Sequence, residues 1–340
     1  MADTLLDTWA DAIDAFPLTG TADARLGALV RYAIRAPSSH NTQPWRFRVA
    51  GGALEVRADR SRALLVVDPH HRALIISCGA AVEYAVVAAR HFGCDARVES
   101  LPDPADPDLL ARIRLAGPCT PVPADHAMFA AIPRRRTTRT AFLRRAPSTD
   151  RLDHLAAAAA PLGATVSMVT DPGEKAAIAA LVMEGDRIQM ADPAFRSELA
   201  GWMRPNSGGV VDGMPGAVLG MNGVTALVAP LVIRTFDIGP GIGARDRDLA
   251  ELSPVLAVLS TPSDTAADWL AAGRALARLL LLAHDVSLQA SFLNQPIEVP
   301  SLRHRLAALV RSGVPQLLLR MGYASAGPAS PRRTLEEVLD

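Results

Sequence analysis

The sequence has 340 residues, of which 49% are hydrophobic and 4% aromatic, and its 35 Lys and Arg residues balance 35 Asp and Glu residues. A chain of this length can fill two hydrophobic cores or one large core. The zero net charge and the few aromatic residues argue against general nucleic-acid binding, which needs a cationic surface and stacking platforms. Lys175 is the only lysine, so any anion site must be built from arginine.

Three further features limit the compartment. The three cysteines are an odd number in a long chain, which argues against a disulfide framework. Residues 1–16 carry four aspartates and no basic start, so they do not form a signal peptide. The most apolar stretches, 74–89 and 276–283, are too short or too interrupted by charge to span a bilayer. We therefore expect a soluble, cytoplasmic protein with no membrane partner.

The first 120 residues alternate between helical and strand patterns. Apolar spacing predicts helices at 5–16, at 25–35 and up to residue 92, a hairpin at 45–57, and strands at 96–101 and 110–115. Pro37 ends the second helix and Gly93 ends the long one. Three prolines within 118–123 then predict a linker. We place the domain boundary there, between an N-terminal half, 1–120, and a C-terminal half, 121–340.

The C-terminal half has a comparable pattern. A helical face begins near Met128, and the remaining predicted elements are helices at 151–160, 174–190, 193–203, 268–284 and 301–310 and strands at 165–169, 255–260, 288–292 and 316–321. Residues 204–223 are rich in Gly, Pro, Asn and Met, which favours a long loop of functional rather than structural use. We name this segment the lid.

The two longest apolar helices suggest an internal repeat. Gly79 lies 14 residues before Gly93, and Gly273 lies 14 residues before Ser287. In each copy a predicted strand follows at once. Alanine-rich sequences produce such matches by chance, so the repeat is a hypothesis at this point.

Polar side chains crowd one short loop, Ala-Pro-Ser-Ser-His-Asn-Thr-Gln-Pro-Trp at 36–45. Prolines near both ends fix its path, and its hydroxyl and amide groups suit a neutral, hydroxyl-rich ligand. An ordinary capped helix end with local side-chain turns explains the same residues. Both interpretations stay open on the residues alone.

A basic segment, Arg-Arg-Arg-Thr-Thr-Arg-Thr-Ala-Phe, occupies 134–142. Arg135, Thr137 and Arg139 stand two apart, so in extended backbone they point the same way. Two guanidinium groups beside a hydroxyl would suit a phosphate, because arginine matches phosphate geometry. The alternatives are a solvated basic run or a nucleic-acid patch, and the neutral net charge disfavours the patch.

Together the two motifs resemble the nitroreductase superfamily of FMN-dependent oxidoreductases, whose chains open with Arg-x-Ser/Thr-x-Arg/Lys and later carry Ala-Pro-Ser-x-x-Asn-x-Gln-Pro-Trp. Here the order is inverted, since the basic segment follows the loop by about ninety residues. Pro-Arg-Arg-Thr-Leu-Glu-Glu-Val at 331–338 is similar to the family's closing basic segment. The inverted order and the length resemble the two-domain Acg family, over most of the chain and least over 146–250.

The resemblance implies an α+β, nitroreductase-like fold that is internally duplicated, so that two half-domains mimic the family's homodimer. In that homodimer FMN lies between the subunits. Carried onto this chain, the phosphate would be held by Arg135, Thr137 and Arg139, with Arg332 or Arg333. The other half would contribute Pro37, Ser38, Ser39, Asn41 and Gln43. Neither motif occurs twice, so the resemblance implies one FMN per chain in a monomeric pseudo-dimer, with further homodimerisation left open.

Residues 291–295, Ser-Phe-Leu-Asn-Gln, fall where relatives place a backbone amide near flavin N5. The resemblance therefore makes Leu293, Asn294 and Gln295 candidate flavin neighbours, although the Pro-Ile-Glu-Gly pattern that often surrounds this amide is absent.

Other motifs are weaker. The string Gly-Pro-Gly-Ile-Gly-Ala at 239–244 fits the loose dinucleotide pattern, but Pro240 stiffens the turn and Pro254 should leave too short a helix behind it. No His-Glu-x-x-His or Cys-x-x-Cys spacing occurs, so no metal site is expected.

The implied function is an FMN-dependent NAD(P)H oxidoreductase that passes hydride through flavin N5 to a small electrophilic acceptor. Such a transfer needs no catalytic acid or base from the protein. The lid would cover the flavin. The alternative is a flavin-binding or flavin-storage protein whose closed lid allows little or no turnover, so whether the chain is an enzyme stays open.

Overall fold

The computed structural model describes residues 16–206 and 209–340. Apart from Phe16, the helix predicted over 5–16 lies outside the described residues.

The first sheet is an antiparallel four-stranded sheet in the order β1-β2-β4-β3. Its strands are β1 (Trp45–Ala50), β2 (Ala53–Ala58), β3 (Cys94–Ser100) and β4 (Leu109–Pro118). Helices α1 (Ala22–Ala33), α2 (Arg72–His91) and α3 (Pro123–Ala131) accompany it. The predicted hairpin is present, with Trp45 opposite Ala58 and Ala50 opposite Ala53.

The second sheet is also antiparallel and has the order β5-β8-β10-β9. Its strands are β5 (Thr165–Val169), β8 (Val255–Thr261), β9 (Leu288–Phe292) and β10 (Val314–Tyr323), and two short strands, β6 (Met203–Arg204) and β7 (Met214–Pro215), pair separately. The helices are α4 (Thr149–Ala157), α5 (Pro172–Ala191), α6 (Pro193–Gly201), α7 (Gly223–Thr235), α8 (Gly239–Leu252), α9 (Ala266–Asp285), α10 (Gln295–Glu298), α11 (Pro300–Val310) and α12 (Leu335–Val338).

The two sheets repeat one topology. In each, the first strand lies at one edge, the second and fourth are central, and the third is at the other edge. A 20-residue helix, α2 or α9, precedes the third strand in both copies. Each helix is followed by a left-handed residue, Gly93 with φ 73° or Ser287 with φ 64°. The predicted internal duplication is therefore confirmed.

The two central helices cross at their equivalent glycines. A Cβ on Gly79 would lie 3.1 Å from the Cα of Gly273 and deep within contact distance of the Leu270 carbonyl oxygen. A Cβ on Gly273 would lie 2.9 Å from the Cα of Gly79 and equally deep against the Ile76 carbonyl. Each glycine thus meets the residue three positions before the other. Such reciprocal contact is the mark of a twofold relation, here within one chain.

Helix α2 is apolar because it lies inside the protein. The expectation that 74–89 is too short or too interrupted by charge to span a bilayer was wrong, because the helix extends over 72–91 and is long and apolar enough by composition. However, 89% of its apolar window is buried inside the protein. Glu83 of α2 is fully buried and receives hydrogen bonds from Arg274 at 2.9 Å and Arg278 at 2.5 Å, both on α9. This charged contact fixes the two halves in register.

Two segments of the C-terminal half lie between the two sheets: the one after α3 pairs with β9, and the one at the C-terminus pairs with β1. Thr137 bridges to Ala290 of β9, and the Thr138 amide donates to the Ala290 carbonyl at 3.0 Å. At the C-terminus, the Asp340 amide donates to the Phe47 carbonyl of β1 at 2.9 Å. Helix α3 and Val338 of α12 pack into the hydrophobic core beside the first sheet, although both follow residue 120. The boundary at 120/121 stays a prediction, since these elements pack across it.

Helices α7 and α8 were not predicted. The expectation that Pro254 leaves too short a helix was wrong, because α8 runs for 14 residues from Gly239. The glycine string follows helix α7 rather than a strand, which removes the context that a dinucleotide-binding turn requires.

Candidate functional site

The 36–45 loop has an unusually strained backbone. His40, Asn41 and Gln43 adopt positive φ angles of 50°, 54° and 51°, a conformation that costs free energy in residues other than glycine. The Ser38 hydroxyl accepts from the Gln43 amide at 2.9 Å, and the Ser39 amide donates to Ser77 of α2 at 3.4 Å. Strain held in this way is typical of ligand-binding loops.

Arginines from three distant segments converge beside this loop, and we name Arg35, Arg135, Arg136 and Arg332 the arginine cluster. Arg332 donates to the Asn41 side chain at 3.1 Å and to the carbonyls of Arg35 and Ala36 at 3.1 and 3.2 Å. Buried Arg135 donates from Nε to the Tyr84 hydroxyl at 2.8 Å.

Within the described chain, three of the four arginines of the cluster have no acidic partner. Among the described residues, Arg135, Arg136 and Arg332 form no ion pair with a carboxylate, and buried Arg332 Nε has no partner. Burial, followed by the nearby charges of Arg135, Arg35 and Arg136, lowers the pKa of Arg332 to about 9. Partly buried cations with spare donors are suited to an anion.

Arg139 points to a different place from Arg135. It donates to the Val218 carbonyl of the lid at 3.1 Å. Burial lowers its pKa, while nearby Asp246 raises it. Burial and, second, the charge of Arg139 lower the pKa of His40 to about 4, so His40 is neutral at physiological pH. The two arginines predicted as one clamp therefore have separate partners, with Thr137 between them.

Arg333 ties the tail to the loop. Its amide donates to the Gln43 side-chain oxygen at 2.8 Å, and its guanidinium donates to the Gln43 carbonyl at 3.2 Å and lies 3.6 Å from Asp59. Arg332 therefore belongs to the arginine cluster, whereas Arg333 holds the backbone of the 36–45 loop. Pro37 is buried at the start of the same loop.

The lid contacts the 36–45 loop through side-chain hydrogen bonds. Asn41 Nδ2 donates to the Gly213 carbonyl at 3.0 Å, and Gln43 Nε2 donates to the Val211 carbonyl at 2.8 Å. Between them, Asp212 pairs with Arg62 and, at 3.0 Å, with Arg204. Burial opposes ionisation of Asp212, but hydrogen bonds from these arginines hold its pKa below the usual value. The lid is thus latched to the N-terminal half by charge.

The three residues predicted near flavin N5 have different surroundings. Leu293 is packed in the core, and its amide donates to the Leu318 carbonyl at 2.9 Å. Asn294 Oδ1 accepts from the Leu318 amide at 3.0 Å. Gln295 alone turns its side chain toward functional groups, donating to Asp186 at 3.0 Å and to Asp246 at 3.1 Å. The Pro-Ile-Glu-Gly pattern was expected to be absent, but residues 296–299 read Pro-Ile-Glu-Val. Three of its four residues are therefore present, and Val299 replaces the glycine.

Asp186 is a buried acid that the sequence did not reveal. It is 5% exposed, and its Oδ2 has no hydrogen-bond partner among the described residues. Burial, and next the charge of Asp246, raise the pKa of Asp186 to about 7. Its helix, α5, carries four other charged residues, so no local pattern singles out Asp186.

Metal-binding potential was searched over the described residues, and no group of three or more His, Cys, Asp or Glu side chains is arranged to hold an ion.

Comparisons with known proteins agree with the architecture. No family model matches the chain. The chain is 36% identical over 318 residues to Rv3131 of Mycobacterium tuberculosis, classed by its name among the NAD(P)H nitroreductases, covering 91% of this chain and 89% of the relative. It is 30% identical over 318 residues to the acg nitroreductase of the same organism, covering 91% and 93%.

Solved structures resemble the chain more weakly. The FMN- and NADPH-dependent nitroreductase NfnB of a Sphingopyxis strain matches with a TM-score of 0.42 and 20% identity, covering 64% of this chain and 98% of NfnB. NfnB of Mycobacterium smegmatis, solved with NADPH, gives a TM-score of 0.41 and 19% identity, covering 62% and 96%. The full-length sequence relatives and the duplicated α+β topology together show that the chain belongs to the Acg-type, two-domain members of the nitroreductase family.

Proposed function

We propose that this protein is an FMN-dependent NAD(P)H oxidoreductase that binds one FMN per chain and reduces a small electrophilic acceptor. The observation that carries this proposal is the convergence of buried Arg135 and partly buried Arg136 and Arg332, which have no carboxylate partner in the described chain, at the junction of the two halves. The full-length relatives named as NAD(P)H nitroreductases support the same activity.

The donor groups of the cluster fit a phosphate monoester. Such a group carries nearly two negative charges and three acceptor oxygens. The unpartnered Arg332 Nε and the guanidinium groups of Arg135 and Arg136 would supply charge-assisted hydrogen bonds to them. The sequence contains one Pro-Ser-x-x-Asn loop, so we propose a single cofactor site.

The basic segment would then follow the length of the cofactor. Four residues of extended backbone from Arg135 to Arg139 span about 13 Å. In this arrangement Arg135 would hold the phosphate, Thr137 would lie beside the ribityl hydroxyls, and Arg139 would lie toward the ring. Flavin supplies the hydride chemistry when bound, and the cationic Arg139 would favour negative charge at that end.

The residues of the loop and lid would orient the ring and exclude water. We propose that Ser38, Ser39, Asn41 and Gln43 contact the cofactor and that Val211 and Gly213 close over them, since the loop amides already hold the lid. We retain Leu293, Asn294 and Gln295 as proposed neighbours of the ring and the cytoplasm as the proposed compartment.

The first experiment is the absorbance spectrum of the purified protein, followed by anaerobic mixing with NADH or NADPH. We expect a yellow protein with a flavin-to-chain ratio near one and bleaching of the flavin band within the turnover time. A colourless protein that takes up no added FMN would refute the cofactor. A yellow protein that neither nucleotide bleaches would support the storage alternative, with the lid as its cause.

A matched pair of variants tests the arginine cluster. Arg135→Ala together with Arg332→Ala should raise the FMN dissociation constant by at least about 100-fold, since each charge-assisted hydrogen bond contributes about 1.5–3 kcal/mol. Arg247→Ala is the control, because Arg247 is exposed and paired with Glu251 on α8. Unchanged FMN affinity in the double variant would contradict the phosphate assignment.

A further inference from the structure

Helix α7 exposes a continuous apolar face. Its outward side chains range in exposure from 50% for Val228 to 75% for Val224, and they are Val224, Leu227, Val228 and Leu231, followed by Phe236 just after the helix. The helical members are spaced by three and four residues and therefore lie on one side of the helix. The other exposed large hydrophobic residues of the described chain are scattered over both halves.

The opposite side of α7 is buried but small. Ala226, Ala229 and Ile233 face the protein. Ala229 and Ile233 pack with residues of α5 and α6, and Ala226 lies against Gly216 of the lid. The Asn222 side chain caps the helix by accepting from the Thr225 amide at 2.9 Å. The larger apolar side chains of a well-formed helix thus point away from the core, which is the reverse of an ordinary surface helix.

The size of this face fits a second protein surface. Five large side chains at half to three-quarters exposure present on the order of 500 Å², near the upper limit for the largest patch of a typical monomer. Two copies packed face to face would bury about 1,000 Å², which reaches the lower range of specific interfaces.

The charge pattern argues against a lipid surface. Arg234 is the only charged residue of α7, whereas interfacial helices carry a row of Lys and Arg beside the apolar face. The following helix, α8, leaves at an angle of 115°, so the pair does not form a straight span.

We propose that two copies of this chain form a homodimer through antiparallel α7 helices, with Leu227, Val228 and Leu231 at the twofold axis. An uncharged apolar stripe is complementary to itself, as a twofold interface requires. The pseudo-twofold contact between the two halves lies within one chain, at the crossing of α2 and α9. This dimer would therefore be additional to that internal contact.

Sedimentation velocity over about 1–100 µM protein, the range where an interface of this size should dissociate, tests the proposal. We expect the wild type to show a dimer mass and Leu227→Glu with Leu231→Glu to show half of it. Leu143→Glu, which changes a residue 62% exposed outside α7, should remain dimeric. Circular dichroism should be unchanged in both variants, since the replaced side chains are exposed.

A cross-link locates the axis. Val228→Cys should give a disulfide-linked dimer on mild oxidation, because residues beside a twofold axis approach their own copies. A wild-type monomer at every concentration would overturn the proposal, as would dimerisation that survives the double variant. Flotation of the wild type with anionic vesicles, lost in the double variant while the protein is monomeric, would assign the face to lipid instead.

Discussion

Gly79→Ala should strongly destabilise the protein because it forces the two central helices apart. The added methyl would overlap the Leu270 carbonyl oxygen and lie 3.1 Å from the Cα of Gly273. Backbone atoms cannot rotate away as a side chain can, so the helices must separate by about 1 Å. Overpacking of this kind costs about 1–3 kcal/mol, and we expect the upper end because both cores pack on these helices.

The pseudo-twofold relation between the helices predicts that the two equivalent glycines respond alike. Gly273→Ala should cost about the same, since its methyl would overlap the Ile76 carbonyl. The double variant should cost little more than either single variant, because one separation relieves both overlaps.

Urea unfolding of the two single variants and the double variant measures the loss in the free energy of unfolding of each. Gly241→Ala on α8 is the control, as nothing lies within 4 Å of its added Cβ, and it should be neutral or slightly stabilising. A loss below about 0.5 kcal/mol in Gly79→Ala, or an additive double variant, would refute the reasoning.

Three other changes test the buried charges. The pKa of Asp186 is raised to about 7 by burial and by Asp246, so the folded state binds a proton that the unfolded state releases, and wild-type stability should fall as pH rises from about 4 to 7. Asp186→Asn should remove most of this fall and raise the free energy of unfolding by about 2–4 kcal/mol near pH 8. Urea unfolding of both proteins at about pH 5 and 8 measures the difference. An unchanged pH dependence in the variant would contradict the raised pKa of Asp186. Glu83→Gln should cost about 3 kcal/mol, the low end for a broken buried pair, because it leaves the partly buried Arg274 and Arg278 without a counter-ion. Glu251→Gln, at an exposed pair, should change stability by less than about 1 kcal/mol. Asp212→Asn should release the lid from Arg62 of the N-terminal half and speed thermolysin cleavage before Val210 or Val211; cleavage at the wild-type rate would show that the ion pair does not hold the lid.

Most elements could be predicted because their periodicity is clear and their ends carry strong signals. The strand over 165–169 and the strand over 288–292 match the structure at both ends. Helix α7 escaped because both of its faces are apolar, so no amphipathic period appears, and Pro230 lies within it. Helix α8 escaped because glycines dominate its first turn, although Pro240 at the start of a helix is favourable.

The site was predictable only where residues adjacent in sequence act together. The 36–45 loop and the 135–139 segment are continuous motifs, and the structure brings both to the junction of the halves. Tyr84, within α2, and Arg35, just after α1, also lie beside the arginine cluster. The sequence around each of them indicates only a helix, so their place beside the cluster could not be predicted. The depth of Asp186 depends on how α5, α8 and α10 pack, which no local pattern encodes.

The route of the chain through the two halves also fixes when the protein can mature during synthesis. The first sheet gains its last partner at Leu339, and the arginine cluster gains Arg332, only after the whole second half has been made. A nascent chain that has completed the first half alone therefore lacks both its edge contact and its anion site. Because domains usually fold as they emerge from the ribosome, we expect cofactor capture to wait until residues 332–339 have been made and have left the ribosome.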